Sequence, residues 1–190
     1  VLDQRDSQIA DATLELVTGA ADGRSVTSRW RSTIGSGTQS RLVVGVTPGD
    51  WYSTALYQPT DPQGEFWPGL RGGEIGLSEI AASRLGVAQG GTVELPAIAG
   101  PRLYRVAGIF HPRMVSDTAV GDIVLVSEEL ARADWAAVRD QVAVAYPSSA
   151  DATAHRSDFV NLGAGLRVYD NQQWRSEATA GMTRFLKPFT

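Results

Sequence analysis

The sequence predicts an α+β (mixed α/β) chain with short helices and more strands than one βαβ unit supplies. Three patterns point there. Two continuous apolar runs, RLVVGV (41–46) and DIVLV (122–126), have the character of strands buried on both faces. The block 74–95 compresses a strand, a short helix, a glycine turn and a second strand into one unit. From 141 onward strand and helix patterns alternate again, without the regular repeat of a doubly wound sheet.

With 190 residues, 43% hydrophobic and 20% charged, the chain has enough apolar mass for one large core or two small packed ones. The net charge of −4 leaves no basic stripe to neutralise phosphates, which argues against a nucleic-acid partner. Cysteine is absent, so disulfides, Cys-based zinc sites and thiol nucleophiles are excluded. No apolar run approaches the ~20 residues of a membrane span. The opening VLDQRD is charged at once, unlike a signal peptide, and a start at Val1 suggests an excised fragment.

Taken in order, residues 4–11 read as a short helix. Leu14 and Leu16 alternate with Thr13, Glu15 and Val17, the period of a half-buried strand over 12–18. The Asp22-Gly23 turn would pair that strand with 25–33 as a hairpin. After the strand 41–46, TPGD (47–50) makes a turn, and the aromatic, Pro- and Gly-rich stretch 51–73 reads as a long loop. EIGL (74–77) is a strand, and Ser78 caps the helix after it, whose apolar face is Ile80, Ala81 and Leu85. Gly86 fits a left-handed helix stop with Val87 as its hydrophobic partner, and Gly90-Gly91 turn into the strand TVEL (92–95). LYRVAGIF (103–110) is a long strand with Tyr104, Val106 and Phe110 on one face. Ser127 caps a helix carrying Glu128 and Glu129 in its first turn, where the helix dipole favours them. QVAVAY (141–146) and GLRVYD (165–170) are strands around a helix at 149–161. Trp174, Ala178, Met182 and Phe185 give a final amphipathic helix that Pro188 stops.

A search for chemistry yields little. His111 and His155 stand far apart in the chain, with no second ligand at metal spacing, so surface or structural roles fit them best. No serine sits in a nucleophile elbow, and the GSG at 35–37 lacks the Gly-Lys-Ser/Thr of a phosphate loop. The glycines of GLRGGEIG (69–76) precede a strand, whereas a dinucleotide loop needs them between strand and helix. Asp117, Asp122, Glu128 and Glu129 are explained as turn and helix-start carboxylates. Catalytic, cofactor and metal residues are therefore all expected to be none. One candidate partner surface stands out: Trp51, Tyr52, Tyr57, Phe66 and Trp67, because exposed aromatics anchor interfaces. The plainer reading is that they cover the core beneath the loop.

Ala81, Leu85, Gly86, Gly90, Val93, Val106, Gly108 and Ile109, together with DIVLVSEELARADW (122–135), carry a family resemblance. The pattern resembles the extracytoplasmic (periplasmic core) domain of MacB/FtsX-type ABC transporter permeases. In that family an alanine-bearing helix, a Leu-Gly stop and a Gly turn lead into a strand and then a Val-x-Gly-Ile strand. The upstream LVVGVTPGDWY is similar to the family's V-x-G-V-x-P element, and Gly91 stands where Asp is common. The match covers residues 42–135.

The resemblance implies a non-catalytic domain between two transmembrane helices, on the extracytoplasmic side of the cell membrane, with Val1 and Thr190 close together. It implies no cofactor in this domain, since ATP is used by a separate ATPase subunit or domain. The implied partners are the permease's own transmembrane helices and the ABC ATPase. Candidates beyond these are a second permease ectodomain, and a cell-wall hydrolase, lipoprotein or exported substrate. The domain would relay ATP-driven motion to such a partner. It also implies two subdomains: a βαβ-like one from 1–45 plus 141–190, and a strand-rich insert, 46–140. Two other readings remain open. One is a double-psi-barrel enzyme or small-ligand-binding domain, closed with six strands around 74–126 and with a pocket lined by Asp117 and Asp122. The other is an adhesin-like module that uses the aromatic stretch.

Overall fold

The computed structural model describes residues 2–3, 8–36, 40–61, 64–113, 121–160, 162, 167–169 and 173. In chain order the elements are β1 (Leu2–Asp3), α1 (Asp11–Ala20), β2 (Val26–Ile34), β3 (Arg41–Val46), α2 (Trp51–Leu56), β4 (Tyr57–Pro59), α3 (Phe66–Arg71) and β5 (Ile75–Ser78). There follow α4 (Glu79–Leu85), β6 (Thr92–Leu95), β7 (Arg102–Pro112), β8 (Ile123–Ser127), α5 (Glu128–Trp135), β9 (Val138–Val144), α6 (Ser149–Ala154), α7 (Ser157–Val160) and β10 (Arg167–Val168). They fall into two compact units, Val1–Ser28 with Arg139–Thr190, and Arg29–Val138. The sequence reading places the divisions at 45/46 and 140/141. In the structure they fall at 28/29 and 138/139, because β3 pairs along its length with β8 and so belongs with the middle of the chain.

In the first unit β1 lies antiparallel to both β9 and β10, with Leu2 beside Val142 and Val168. Residues 11–20 are helical, which corrects the strand and hairpin expected from 12–18. Leu14, Val17 and Ala21 recur at helical spacing, and Val17 and Ala21 are fully buried while Leu16 points to solvent. A period of three to four thus outcompetes the period of two that Leu14 and Leu16 suggest. The single helix expected over 149–161 is broken into α6 and α7. Ser148 caps α6 by accepting from the Asp151 amide, but α6 buries no residue, and only Phe159 of α7 reaches the core beside Ile9, Val17 and Val142. Nothing apolar carries the helix through His155 and Arg156. The final helix expected from Trp174 to Phe185 lies outside the described residues.

The second unit is a mixed sheet in the order β2–β3–β8–β5–β7–β4, with β6 also on β7. β3 and β8 run parallel, as do β5 and β7, and the remaining pairs are antiparallel. Both faces are covered, which is why LVVGV (42–46) and IVLV (123–126) are apolar throughout. Val43, Val124 and Val126 face a core completed by Ala81, Ala131 and Trp135 from α4 and α5. Leu42, Val44, Ile123 and Leu125 face the opposite core, with Phe66 and Leu70 of α3. Of the strands described within 74–127, β5, β7 and β8 lie along this open order and β6 pairs with β7, so among the described residues these strands do not close into the six-stranded barrel of the alternative reading.

Two local devices fix this packing. The first is a bulge. The β5–β7 register steps from Ile75↔Val106 to Gly76↔Gly108, so one residue of β7 is extra. Tyr104 and Val106 therefore face the α4/α5 side while Phe110 faces the α3 side. This corrects the expectation that the three share a face. The second is glycine at points of close approach. A Cβ on Gly76 or Gly108 would lie 2.8 Å and 2.9 Å from the Phe66 ring, and one on Gly69 would lie 2.7 Å from Ala107 Cβ. Gly69 and Gly76, with Gly108, thus let α3 settle onto the bulged sheet. On the other face a Cβ on Gly45 would lie 2.5 Å from Ala131 Cβ, so α5 touches the bare backbone of β3.

The compact block 78–95 forms as its residues require. Ser78 Oγ accepts from the Ala81 amide, capping α4, and Gly86 ends it at φ +65°. Val87 N–H then bonds back to Ala82 C=O, the Schellman closure.

Candidate functional site

The stretch expected to be a loop, 51–73, contains two helices and an edge strand. Asp50 caps α2 by accepting from the Ser53 amide at 2.6 Å. Phe66 and Leu70, four apart, set the buried face of α3. That architecture sorts the five candidate aromatics. Tyr57 and Phe66 are core residues around Phe110, with ring centroids 5.5 Å and 6.2 Å from it, and Tyr52 is buried as well. Trp67 is half-buried, edge-on to Phe66 at 4.8 Å, and Trp51 is 40% exposed. Only Trp51 and Trp67 present area to a partner.

Beside α3 lies a groove of about 600 Å³, floored by Val106 and Ala107 of the bulge and walled by α3 and the 89–90 turn. Its charged groups are Glu65, Glu74 and Arg105. Glu74 is placed by its own N–H, which donates to Gly69 C=O at 2.9 Å. Its carboxylate passes the bare Cα of Gly69, where a Cβ would stand 2.8 Å from Oε2. Arg105 Nε approaches Glu74 Oε1 only to 3.6 Å, and the arginine is largely exposed. Sequence reasoning missed this site. Its residues come from three separate stretches, and the signal within them, the clustered glycines, also serves helix packing.

A second polar cluster holds the sheet together from inside. Asp122, 1% exposed, sits between Arg41 Nε at 3.1 Å and Arg84 NH1 at 3.1 Å. The Arg84 contact is a hydrogen bond; the Arg41 approach lacks hydrogen-bond alignment and acts as a Coulombic contact. Ser78 Oγ donates to Gly121 C=O at 2.6 Å and accepts from Ile123 N–H at 3.0 Å, clamping β5 to the start of β8. Asp122 is a structural anchor rather than the lining of an open pocket, and Asp117 lies outside the described residues. At the other end of the unit Tyr104 OH donates to Asp134 Oδ2 at 2.7 Å, and Arg102 holds the same carboxylate. Burial, then the hydrogen bond and charge of Asp134, push the Tyr104 phenol well above its ordinary range, and Arg102 offsets part of this.

His111 Nδ1 lies 3.1 Å from Glu79 Oε2 on the surface. In the first unit His155 Nδ1 lies 2.9 Å from Asp158 Oδ2, and its Nε2 faces the Arg24 guanidinium at 3.5 Å. A triad would need a nucleophile where that guanidinium stands. Tyr146 stacks on His155 and carries Arg24 over its ring; its phenol is raised chiefly by burial. Among the described residues no three or more His, Asp or Glu side chains converge as metal ligands. Nor is any helix among them long and apolar enough to cross a membrane.

A scan of protein-family models and a search of curated proteins return no match. Among solved structures the chain is similar to the extracellular domain of the noncanonic ABC-type transporter YknZ from Gram-positive bacteria. The TM-score is 0.53 at 16% sequence identity, over 89% of this chain and 98% of that one. The shared property is the fold: a mixed α/β architecture that a transporter's extracellular domain also adopts.

Proposed function

We propose that this chain is the extracytoplasmic domain of an ABC-type transporter, of the MacB/FtsX permease kind, and that it relays motion rather than performing chemistry. The observation that carries the reading is the fold shared with the YknZ extracellular domain over nearly the full length of both chains. The sequence pattern at 42–135 independently resembles the same family. The first unit supports it, because β1 lies against β10 and so brings early and late parts of the chain together. Tight packing in the second unit supports it too, since a body that transmits force must resist deformation. Its partners in this reading are the transmembrane helices of the same permease and an ABC ATPase that supplies the ATP-driven step, so no cofactor is needed in the domain. Trp51 and Trp67 remain the candidate partner surface for a second ectodomain or an exported or cell-wall protein.

The test uses the absence of cysteine from these 190 residues, with the parent protein as the labelling control. Ser83, exposed on α4, is replaced by Cys in the full-length protein, and intact cells are treated with a membrane-impermeant maleimide. Labelling without lysis, together with co-purification of an ABC ATPase, is the expected result. Labelling only after lysis would refute the reading.

A further inference from the structure

We propose that the groove beside α3 is a binding site for a short peptide that carries both an ammonium and a carboxylate group. The proposal stands on the groove alone and does not depend on the transporter reading. Its volume, about 600 Å³, lies within the range of sites for small molecules and short peptides. Ala107 gives its floor an apolar patch beside the Val106 backbone, while charges of both signs stand on its walls.

The charged groups have unused capacity. Arg105 offers five N–H donors, and its contact with Glu74 is 3.6 Å long, beyond hydrogen-bond reach. An ion pair this long with so exposed an arginine is weak, so the guanidinium turns to a ligand carboxylate at little cost. Glu74 is held more firmly, by its amide bond to Gly69 and by the space that the missing Cβ of that residue leaves for its carboxylate. Glu65, on the same wall, adds a second carboxylate. The two acids around one base give the groove a surplus negative charge. A lone anion meets Arg105 but is repelled by Glu65 and Glu74. A lone amine meets the acids but is repelled by Arg105. A ligand with both groups on a short apolar stem satisfies every wall and covers the floor, and an extra basic side chain answers the surplus. Ala107 and Gly69 face each other with small side groups, and a Cβ on Gly69 would stand 2.7 Å from that of Ala107.

The probe is the tripeptide Ala-Lys-Ala with free termini, titrated into ¹⁵N-labelled protein while amide shifts are followed. Saturable shifts are expected at 64–74, 89–91 and 105–107. N-acetylation of the peptide and amidation of its C-terminus should each weaken binding by about tenfold, the equivalent of one good charged contact. Arg105→Ala should erase the effect of C-terminal amidation and leave that of acetylation; Glu74→Gln should do the reverse. Both side chains are at least partly solvent-exposed, and unchanged shifts remote from the groove verify folding. Absence of saturable shifts at 10 mM peptide (on the order of a 10 mM dissociation constant,) overturns the proposal. Equal binding of the free and both capped peptides to the unaltered protein overturns it equally, without recourse to any variant. Neither result bears on the location of the domain in a cell, which the maleimide experiment measures.

Discussion

The close approach of α5 to β3 at Gly45 offers a quantitative check. Replacing Gly45 by Ala places a methyl group 2.5 Å from Ala131 Cβ, 3.1 Å from Trp30 Cβ and 3.3 Å from Glu128 Cα. Carbon atoms rest at about 3.5–4.0 Å, so α5 and β3 must part by roughly 1 Å or more. None of these neighbours is the free end of a flexible chain, and Ala131 is fully buried, so the strain cannot be relieved by a rotamer. Overpacking of this kind costs about 1–3 kcal/mol, occasionally more. In a domain of this size that lowers the melting temperature by about 2–12 °C, at about 2–4 °C per kcal/mol. Ala131→Gly, taken alone, should cost about 1 kcal/mol through helix propensity. The double variant recreates the space on the helix side, so Gly45→Ala should cost much less when Ala131 is Gly. Urea unfolding of the four proteins measures the cycle, and a coupling of at least about 1 kcal/mol is expected for residues in contact. If Gly45→Ala stays within about 0.5 kcal/mol of the parent, as an unconstrained surface change would, the reasoning fails.

The same logic applies on the opposite face, where Gly108→Ala should destabilise by a similar amount and the penalty should shrink in a Phe66→Leu background, read again by urea unfolding. Asp122→Asn leaves Arg41 without its counter-charge in the interior. It should cost about 3–5 kcal/mol, toward the lower bound because Arg84 is half in solvent. Arg84→Ala should cost no more than about 1 kcal/mol, and thermal melts distinguish the two. Tyr104 holds its proton more tightly folded than unfolded, so its contribution is intact below the unfolded value near 10 and is lost as pH rises beyond it. The melting temperature should therefore fall above about pH 10, and Tyr104→Phe should flatten that fall without abolishing it, because Tyr146 is raised in the same direction.

Much of the fold was legible because local rules and tertiary packing agreed. Ser78 and Ser127 read as helix caps, and both accept the expected amide at N3. Gly86 read as a left-handed stop, and it is one. Where the two disagreed, packing won. Residues 12–18 alternate like a strand, yet Val17 is buried with Val142 and Phe159 and Leu14 packs against the same cluster, a spacing that requires a helix. In 51–73, prolines and glycines masked an Asp50 cap and a Phe66/Leu70 spacing that were present to be read. The candidate site was the least legible part. Of the five aromatics, Tyr52, Tyr57 and Phe66 are buried, and Tyr57 and Phe66 go into the second core, since a sheet with both faces covered needs large rings to fill it.

By itself the sequence determined the mixed α/β class, the strand–helix–strand block at 74–95, and the absence of any thiol chemistry, because each depends on residue type and nearest neighbours alone. Tertiary structure decided the rest. A single extra residue in β7 moved Phe110 to the opposite face from Tyr104 and Val106, and no local pattern announces such a slip. The groove exists only because Glu74, Gln89 and Arg105, distant in the chain, meet over that bulge. Proximity of this kind is a property of pairing register, which the chain acquires only when its strands find their partners.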